Sequence, residues 1–255
     1  MAGGEDAKPR GALTQRNPDE AIELATLALA SLLVGVLSGA ISAAFRFLLL
    51  KADALRDAFV LLARDRGVAG FLAMMLLCLA AATFAAWLVR RFSPIASGSG
   101  IPHVESVLQG ELPPAPARLI PVKFIGGVLA IGSGLALGRE GPSVQMCATI
   151  GNLVQEAFHL DGKYGRVLLA AGAGAGLAAA FDAPVAGAVF VLEELVRAFE
   201  LHIAIAALGA SATAISVSQA FLGSAPEFNV GKLAPIRDEA MALFFVFGLI
   251  AGLVG

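Results

Sequence analysis

The sequence predicts an all-α integral membrane protein, a bundle of tilted and broken helices, on the strength of three observations. First, 58% of its 255 residues are hydrophobic and only 15% are charged, with a mean hydropathy of +0.81. Soluble domains hold about 45–50% apolar and about 25% charged residues. Second, several uncharged runs reach the roughly 20 residues that a helix needs to cross the hydrocarbon core. Third, the middle of the chain breaks into shorter apolar runs separated by glycine, proline and charge. Such breaks at membrane depth are tolerated where protein or a polar cavity covers the exposed backbone, as in the discontinuous helices of transporters.

Taken in order, residues 1–20 form a polar tail with Glu5, Asp6, Lys8, Arg10, Arg16, Asp19 and Glu20. It lacks the apolar segment of a cleavable signal, so the first span is expected to act as its own insertion signal. Leu24 to Phe45 and Gly67 to Val89 are long, uncharged and rich in Leu and Ala, and each is expected to span alone. Leu201 to Pro226, interrupted only by His202, gives a third full span, followed by a polar stretch from Glu227 to Glu239. Basic residues flank both ends of the first span, Lys8, Arg10 and Arg16 before it and Lys51, Arg56, Arg64 and Arg66 after it, so charge does not set orientation.

Between Lys123 and Glu194, the runs Phe124–Gly138, Gly141–Gln155, Val167–Phe181 and Ala183–Leu192 each fall short of a span. Pro142 and Pro184 stand near the first turn of a new helix, where the missing N–H costs nothing. The pairs Gly35/Gly39, Gly134/Gly138, Gly172/Gly176 and Gly248/Gly252 have the four-residue spacing that lets helices approach closely in lipid. The run Ala171-Gly172-Ala173-Gly174-Ala175-Gly176 lacks both the third glycine of a dinucleotide fingerprint and a preceding strand, so it reads as close helix packing. From Ala240 to Gly255 the chain is uncharged and includes Phe244-Phe245-Val246-Phe247; it is expected to be cut within a membrane helix, as part of a longer protein.

With 18 basic against 20 acidic residues, nothing provides the basic excess that nucleic acid binding requires. Cys78 and Cys147 lie in apolar stretches, and His103, His159 and His202 have no ligand spacing, so neither a disulfide framework nor a metal site is expected.

Three constellations carry chemistry. Gly98-Ser99-Gly100-Ile101-Pro102 is a glycine turn feeding a helix, whose free N–H groups and positive dipole end make an anion site. The same pattern also describes an ordinary helix with Ser as its cap. Gly138-Arg139-Glu140-Gly141-Pro142 places Glu140 at the junction of two short apolar helices. A carboxylate at the bilayer centre costs roughly 2.5–3.5 kcal/mol and marks function or pairing; neighbouring Arg139 is a poor partner because adjacent helical residues diverge. At a helix N-terminus, Glu140 can occupy an anion's place until protonation releases it. Glu193 and Glu194 close the apolar run after Pro184, with one acid expected to face the interior or both surfacing at a helix end. Ser97 or Ser99 with His103 one turn on gives the enzyme alternative, an intramembrane hydrolase, without an orienting acid or oxyanion loop.

At these residues the sequence resembles the CLC family of chloride channels and chloride/proton antiporters. The resemblance rests on Gly98-Ser99-Gly100-Ile101-Pro102, Lys123 in Pro-Val-Lys-Phe, Gly138-Arg139-Glu140-Gly141-Pro142, Ala180-Phe181-Asp182-Ala183-Pro184 and Glu193-Glu194, in that order, and covers residues 21–255. It implies a CLC-type bundle with two inverted repeats. Residues 21–226 would form the first repeat and 227–255 a linker with the first helix of the second. The family's second-half Gly-x-Phe-x-Pro loop and pore tyrosine have no counterpart; the only tyrosine is Tyr164.

The resemblance further implies a homodimer in the lipid bilayer, placed in the bacterial inner membrane, that needs no cofactor and carries chloride and protons. Anion ligands would come from Gly98, Ser99, Gly100 and Ile101 and from Arg139, Glu140 and Gly141. Glu140 would be the gate and external proton carrier, Glu194 the internal acceptor, with Glu193 beside it. Serine at position 99 is the chloride-type residue, and the acid at position 194 favours an antiporter over a passive chloride channel.

Overall fold

The computed structural model describes residues 18–223 and 238–254; the polar tail before Pro18, the end of the expected third span (224–226) and the polar stretch as far as Arg237 lie outside them. Among the described residues the chain is helical and has no strand, in agreement with the expected all-α class. The described residues of the first unit form eight α-helices: α1 (Pro18–Arg64), α2 (Gly67–Phe92), α3 (Ile101–Leu108), α4 (Leu119–Gly132), α5 (Glu140–Phe158), α6 (Gly162–Phe181), α7 (Pro184–Phe190) and α8 (Leu201–Leu222). The second unit contains α9 (Asp238–Val254), a single apolar helix.

The spans are longer than a division at charged residues indicates. α1 runs through Arg46, Lys51, Asp53 and Arg56 as one helix of 47 residues, about 70 Å at 1.5 Å per residue. No proline interrupts it after its first residue, and Arg56 pairs along the helix with Asp53 at 2.8 Å and Asp57 at 3.2 Å. α6 begins at Gly162, before Lys163 and Arg166, and at 20 residues is long enough to cross a membrane. Val167–Phe181 is therefore only its apolar part: the early charged residues belong to the helix and do not interrupt it.

α6 is the centre of the unit, packed against α5, α8, α1 and α7. Its apolar window is 78% buried against 6% for that of α2. Lipid removes the hydrophobic driving force between helices, so close van der Waals approach must supply the packing. The glycines provide it. A Cβ at Gly172 would collide with the Cys147 carbonyl, and one at Gly176 would meet the Ser143 carbonyl, so α6 lies directly on the backbone of α5. Gly35 and Gly39 seat α1 against the Ala210 and Ala214 carbonyls of α8 in the same way.

One of the four expected glycine pairs does something else. Gly134, at φ +93°, turns the chain after α4, and Gly138 makes room for the side chain of Glu140. Gly248 and Gly252 lie in one helix, α9, with the expected spacing. A spacing of four reports helix contact only when both residues are helical, and the break after α4 places Gly134 and Gly138 outside one.

The proline positions agree with expectation. Pro102 and Pro184 stand in the first two positions of α3 and α7, and Pro142 is the third residue of α5. α7 continues into a π-helical turn, Val191–Leu195, closed by the Val196 N–H donating to the Val191 carbonyl at 2.9 Å. Glu193 and Glu194 both lie in this turn.

Candidate functional site

The site starts from a loop that cannot be regular. Gly98 and Gly100 take φ of +67° and +93°, values that favour glycine, and between them Ser99 is lifted to the start of α3. Ser99 Oγ accepts the Ile101 N–H at 3.2 Å. The serine therefore caps the helix locally, which leaves its hydroxyl hydrogen to be donated elsewhere. The two sequence readings of Ser99, cap and anion donor, are compatible.

Two long polar side chains hold this loop from below. Lys123, only 4% exposed on apolar α4, donates Nζ–H bonds to the Gly98 carbonyl at 2.7 Å and the Ala96 carbonyl at 3.0 Å. Gln145 of α5 donates from Nε2 to the Ile95 carbonyl at 3.1 Å. Its side chain also lies where a Cβ at residue 100 would stand, so Gly100 is required for space as well as for its φ. Neither Lys123 nor Gln145 was among the candidate site residues. The signal for Lys123 was present, a lone charge in an apolar run; Gln145 gave none, because only the fold brings it beneath the loop.

The N-terminus of α5 meets that of α3. A Cβ on Gly141 would stand 2.6 Å from the Ser99 carbonyl oxygen, so the first turn of α5 rests on the backbone of Ser99. Two helix starts, each a positive dipole end, converge on one cavity of about 680 Å³. Gly98, Ser99, Ile101, Glu140 and Gly141 line it. The Glu140 carboxylate folds back over Gly138, where any side chain would collide with it.

Two of the seven expected anion ligands also serve the loop itself. The Ile101 amide is already engaged by Ser99 Oγ, so only its side chain remains for the cavity wall. Gly100 is buried against Gln145 and shapes the turn. Arg139 is expected to act through its backbone amide, and its side chain donates from Nη2 to the Ala180 carbonyl at 3.0 Å near the end of α6, which anchors the loop that bears Glu140. In each case local hydrogen bonding or packing sets the direction of the group, and residue spacing alone does not reveal it.

Glu193 and Glu194 do not line this cavity. Both are exposed in this chain, while Val191 and Leu195, four residues apart, turn inward. The expectation that one acid faces the interior is thus not met within these residues. The Ser–His pair of the hydrolase reading is not formed either. His103 lines a separate small cavity with Gln145 and Thr149, whereas Ser97 and Ser99 line the large one.

A bundle of broken helices, four of them long and apolar enough to cross a membrane, with two helix N-termini turned on one open cavity, defines the class, an integral membrane protein of discontinuous helices. A family model described as voltage gated chloride channel matches residues 80–255, and the chain belongs to this family, the CLC family. It is 37% identical over 230 residues to the H(+)/Cl(−) exchange transporter ClcA of Citrobacter koseri, with 89% of this chain and 49% of the relative covered. To ClcA of Salmonella arizonae it is 44% identical over 172 residues, 66% of this chain and 36% of the relative.

Among solved structures, a slow cyanobacterial Cl⁻/H⁺ antiporter superposes with a TM-score of 0.79 at 29% identity, covering 90% of this chain and 54% of the other. A CLC-type fluoride/proton antiporter gives 0.72 at 31% identity, covering 94% and 57%. The chain spans about half the length of the curated relatives it matches.

Proposed function

We propose that the complete protein is a secondary active chloride/proton antiporter, a transporter without cofactor and not an enzyme, working as a homodimer in the bacterial inner membrane. Residues 21–226 act as its first membrane repeat and 227–255 as the linker and first helix of the second. The observation that carries this reading is the contact of Gly141 with Ser99, which turns two helix starts onto one cavity with a carboxylate on its wall. Chloride is taken at Ser99 Oγ, with backbone N–H groups around Gly98 and Ser99 and at the first turn of α5 nearby. Glu140 competes with the anion while ionised and yields when protonated, so one side chain links the two ions. Glu194, with Glu193 beside it, receives the proton from the inner side.

Chloride is favoured over fluoride and nitrate by serine at position 99 and by the names of the ClcA relatives. A passive chloride channel is the second reading; an acid at position 194 weighs against it. The test is pH recording outside liposomes that hold the full-length protein, under a chloride gradient with voltage clamped by a potassium ionophore. Proton movement against its own gradient is the expected result. Chloride flux without coupled protons supports the channel and overturns antiport.

A further inference from the structure

The two ends of α3 have different partners. Its N-terminus faces the cavity, while two arginines from other parts of the chain hold its C-terminal end. Arg166 of α6 donates from Nε to the Leu108 carbonyl at 3.1 Å, satisfying one of the carbonyls that every helix leaves open at its end. The same guanidinium pairs through Nη1 with Glu200 Oε1 at 2.9 Å, the residue just before α8.

Arg197 reaches α3 from the linker between the π turn and α8. Its Nη2 stands 2.6 Å from Glu105 Oε1, and its Nε donates to the carbonyl of Glu194 at 3.4 Å. Glu105 Oε1 also accepts from Gln109 Nε2 at 3.2 Å, which fixes the carboxylate along the helix. Arg197 holds a φ of +54°, a conformation costly for a residue with a side chain. Where glycine would be unstrained, the arginine side chain has a role through its two contacts.

Stability does not provide that role. The Arg197 side chain is 64% exposed, and exposed ion pairs contribute little to folding. The pair instead joins two places: the π turn that carries Glu193 and Glu194, and the helix whose other end begins beside Ser99. α3 has eight residues and is about 12 Å long, so it is a short rigid strut between them.

We propose that Arg197 is a positioning residue that locks the Glu193–Glu194 turn to α3 through Glu105, keeping proton delivery in step with anion binding. The proposal rests on the antiport reading above. Without the lock, the turn shifts relative to α3, protons arrive less efficiently and chloride slips through uncoupled.

The test uses the full-length protein in liposomes and reads the ratio of proton to chloride flux in wild type, Arg197→Ala, Arg197→Lys, Glu105→Gln and the Arg197→Ala/Glu105→Gln double variant. The expected result is a fall in the ratio of about twofold or more in Arg197→Ala and in Glu105→Gln, with chloride flux retained. The double variant is no worse than either single one, as residues acting as a unit require, and Arg197→Lys recovers most of the ratio because it keeps the ion pair. An unchanged ratio in Arg197→Ala overturns the proposal, as do multiplying effects in the double variant. A wild type that carries chloride without protons overturns the antiport reading itself, a separate outcome.

Discussion

Gly141 of α5 lies on the backbone of Ser99, close enough that a methyl group at position 141 would stand 2.6 Å from the Ser99 carbonyl oxygen. One turn further along α5, Gln145 fills the space beside Gly100. Through these two contacts the starts of α3 and α5 share one cavity.

Gly141→Ala is therefore expected to push the two helix starts apart. Overpacking of this kind costs roughly 1–3 kcal/mol, and the displaced amides hold an anion less well. Calorimetric titration of chloride into the full-length variant in detergent is expected to show weaker binding than wild type. Equal affinity would mean that the contact does not shape the anion site.

Glu140→Gln is expected to abolish proton coupling while chloride still passes, since the amide can neither carry a proton nor compete as an anion. Glu194→Gln should likewise leave chloride flux and stop proton flux, with Glu193→Gln milder. Parallel proton and chloride flux assays on the three variants check this. Chloride-driven proton uptake that survives in Glu140→Gln removes the gating role, and equal loss from Glu193→Gln alone moves the inner role to Glu193.

Ser99→Pro removes a hydroxyl donor from the anion and the cap of Ile101 N–H. A hydrogen bond to a charged group is worth about 1.5–3 kcal/mol, so chloride should lose roughly tenfold or more against nitrate. Relative flux of the two anions in liposomes measures it, and an unchanged ratio counts against Ser99 as a ligand.

Lys123→Met keeps the bulk of the side chain and deletes its two bonds to the Ala96 and Gly98 carbonyls. Each charge-assisted bond lost is expected to cost roughly 1.5–3 kcal/mol. Thermal unfolding of the purified full-length variant should begin at a lower temperature, and chloride titration should show weaker binding. A variant with wild-type values in both would show that the loop at Gly98 does not depend on Lys123.

How far residues alone reveal this arrangement depends on what each feature needs. The helix starts at Pro102 and Pro184 are readable because proline restricts its own backbone. The contacts of Gly35, Gly39, Gly172 and Gly176 are readable because glycine at that spacing has few other uses in lipid. Helix length is less accessible: α1 passes through Arg46 and Lys51, since charge interrupts membrane burial but not the helix. Gly134 and Gly138 carry the same spacing as Gly172 and Gly176 but belong to a loop. The direction of the Arg139 side chain, toward Ala180, and the position of Gln145 under the loop depend on contacts between residues far apart in the chain, which no local pattern encodes.

The central claim, that an anion binds where α3 and α5 meet, is tested most directly by bromide. Crystals of the full-length protein grown or soaked in bromide would be measured at the bromine absorption edge, where the anion gives an anomalous signal. The account predicts a peak within hydrogen-bond distance of Ser99 Oγ, beside the first turn of α5, that disappears in Ser99→Pro. Bromide peaks elsewhere in the protein with none at Ser99 would contradict it.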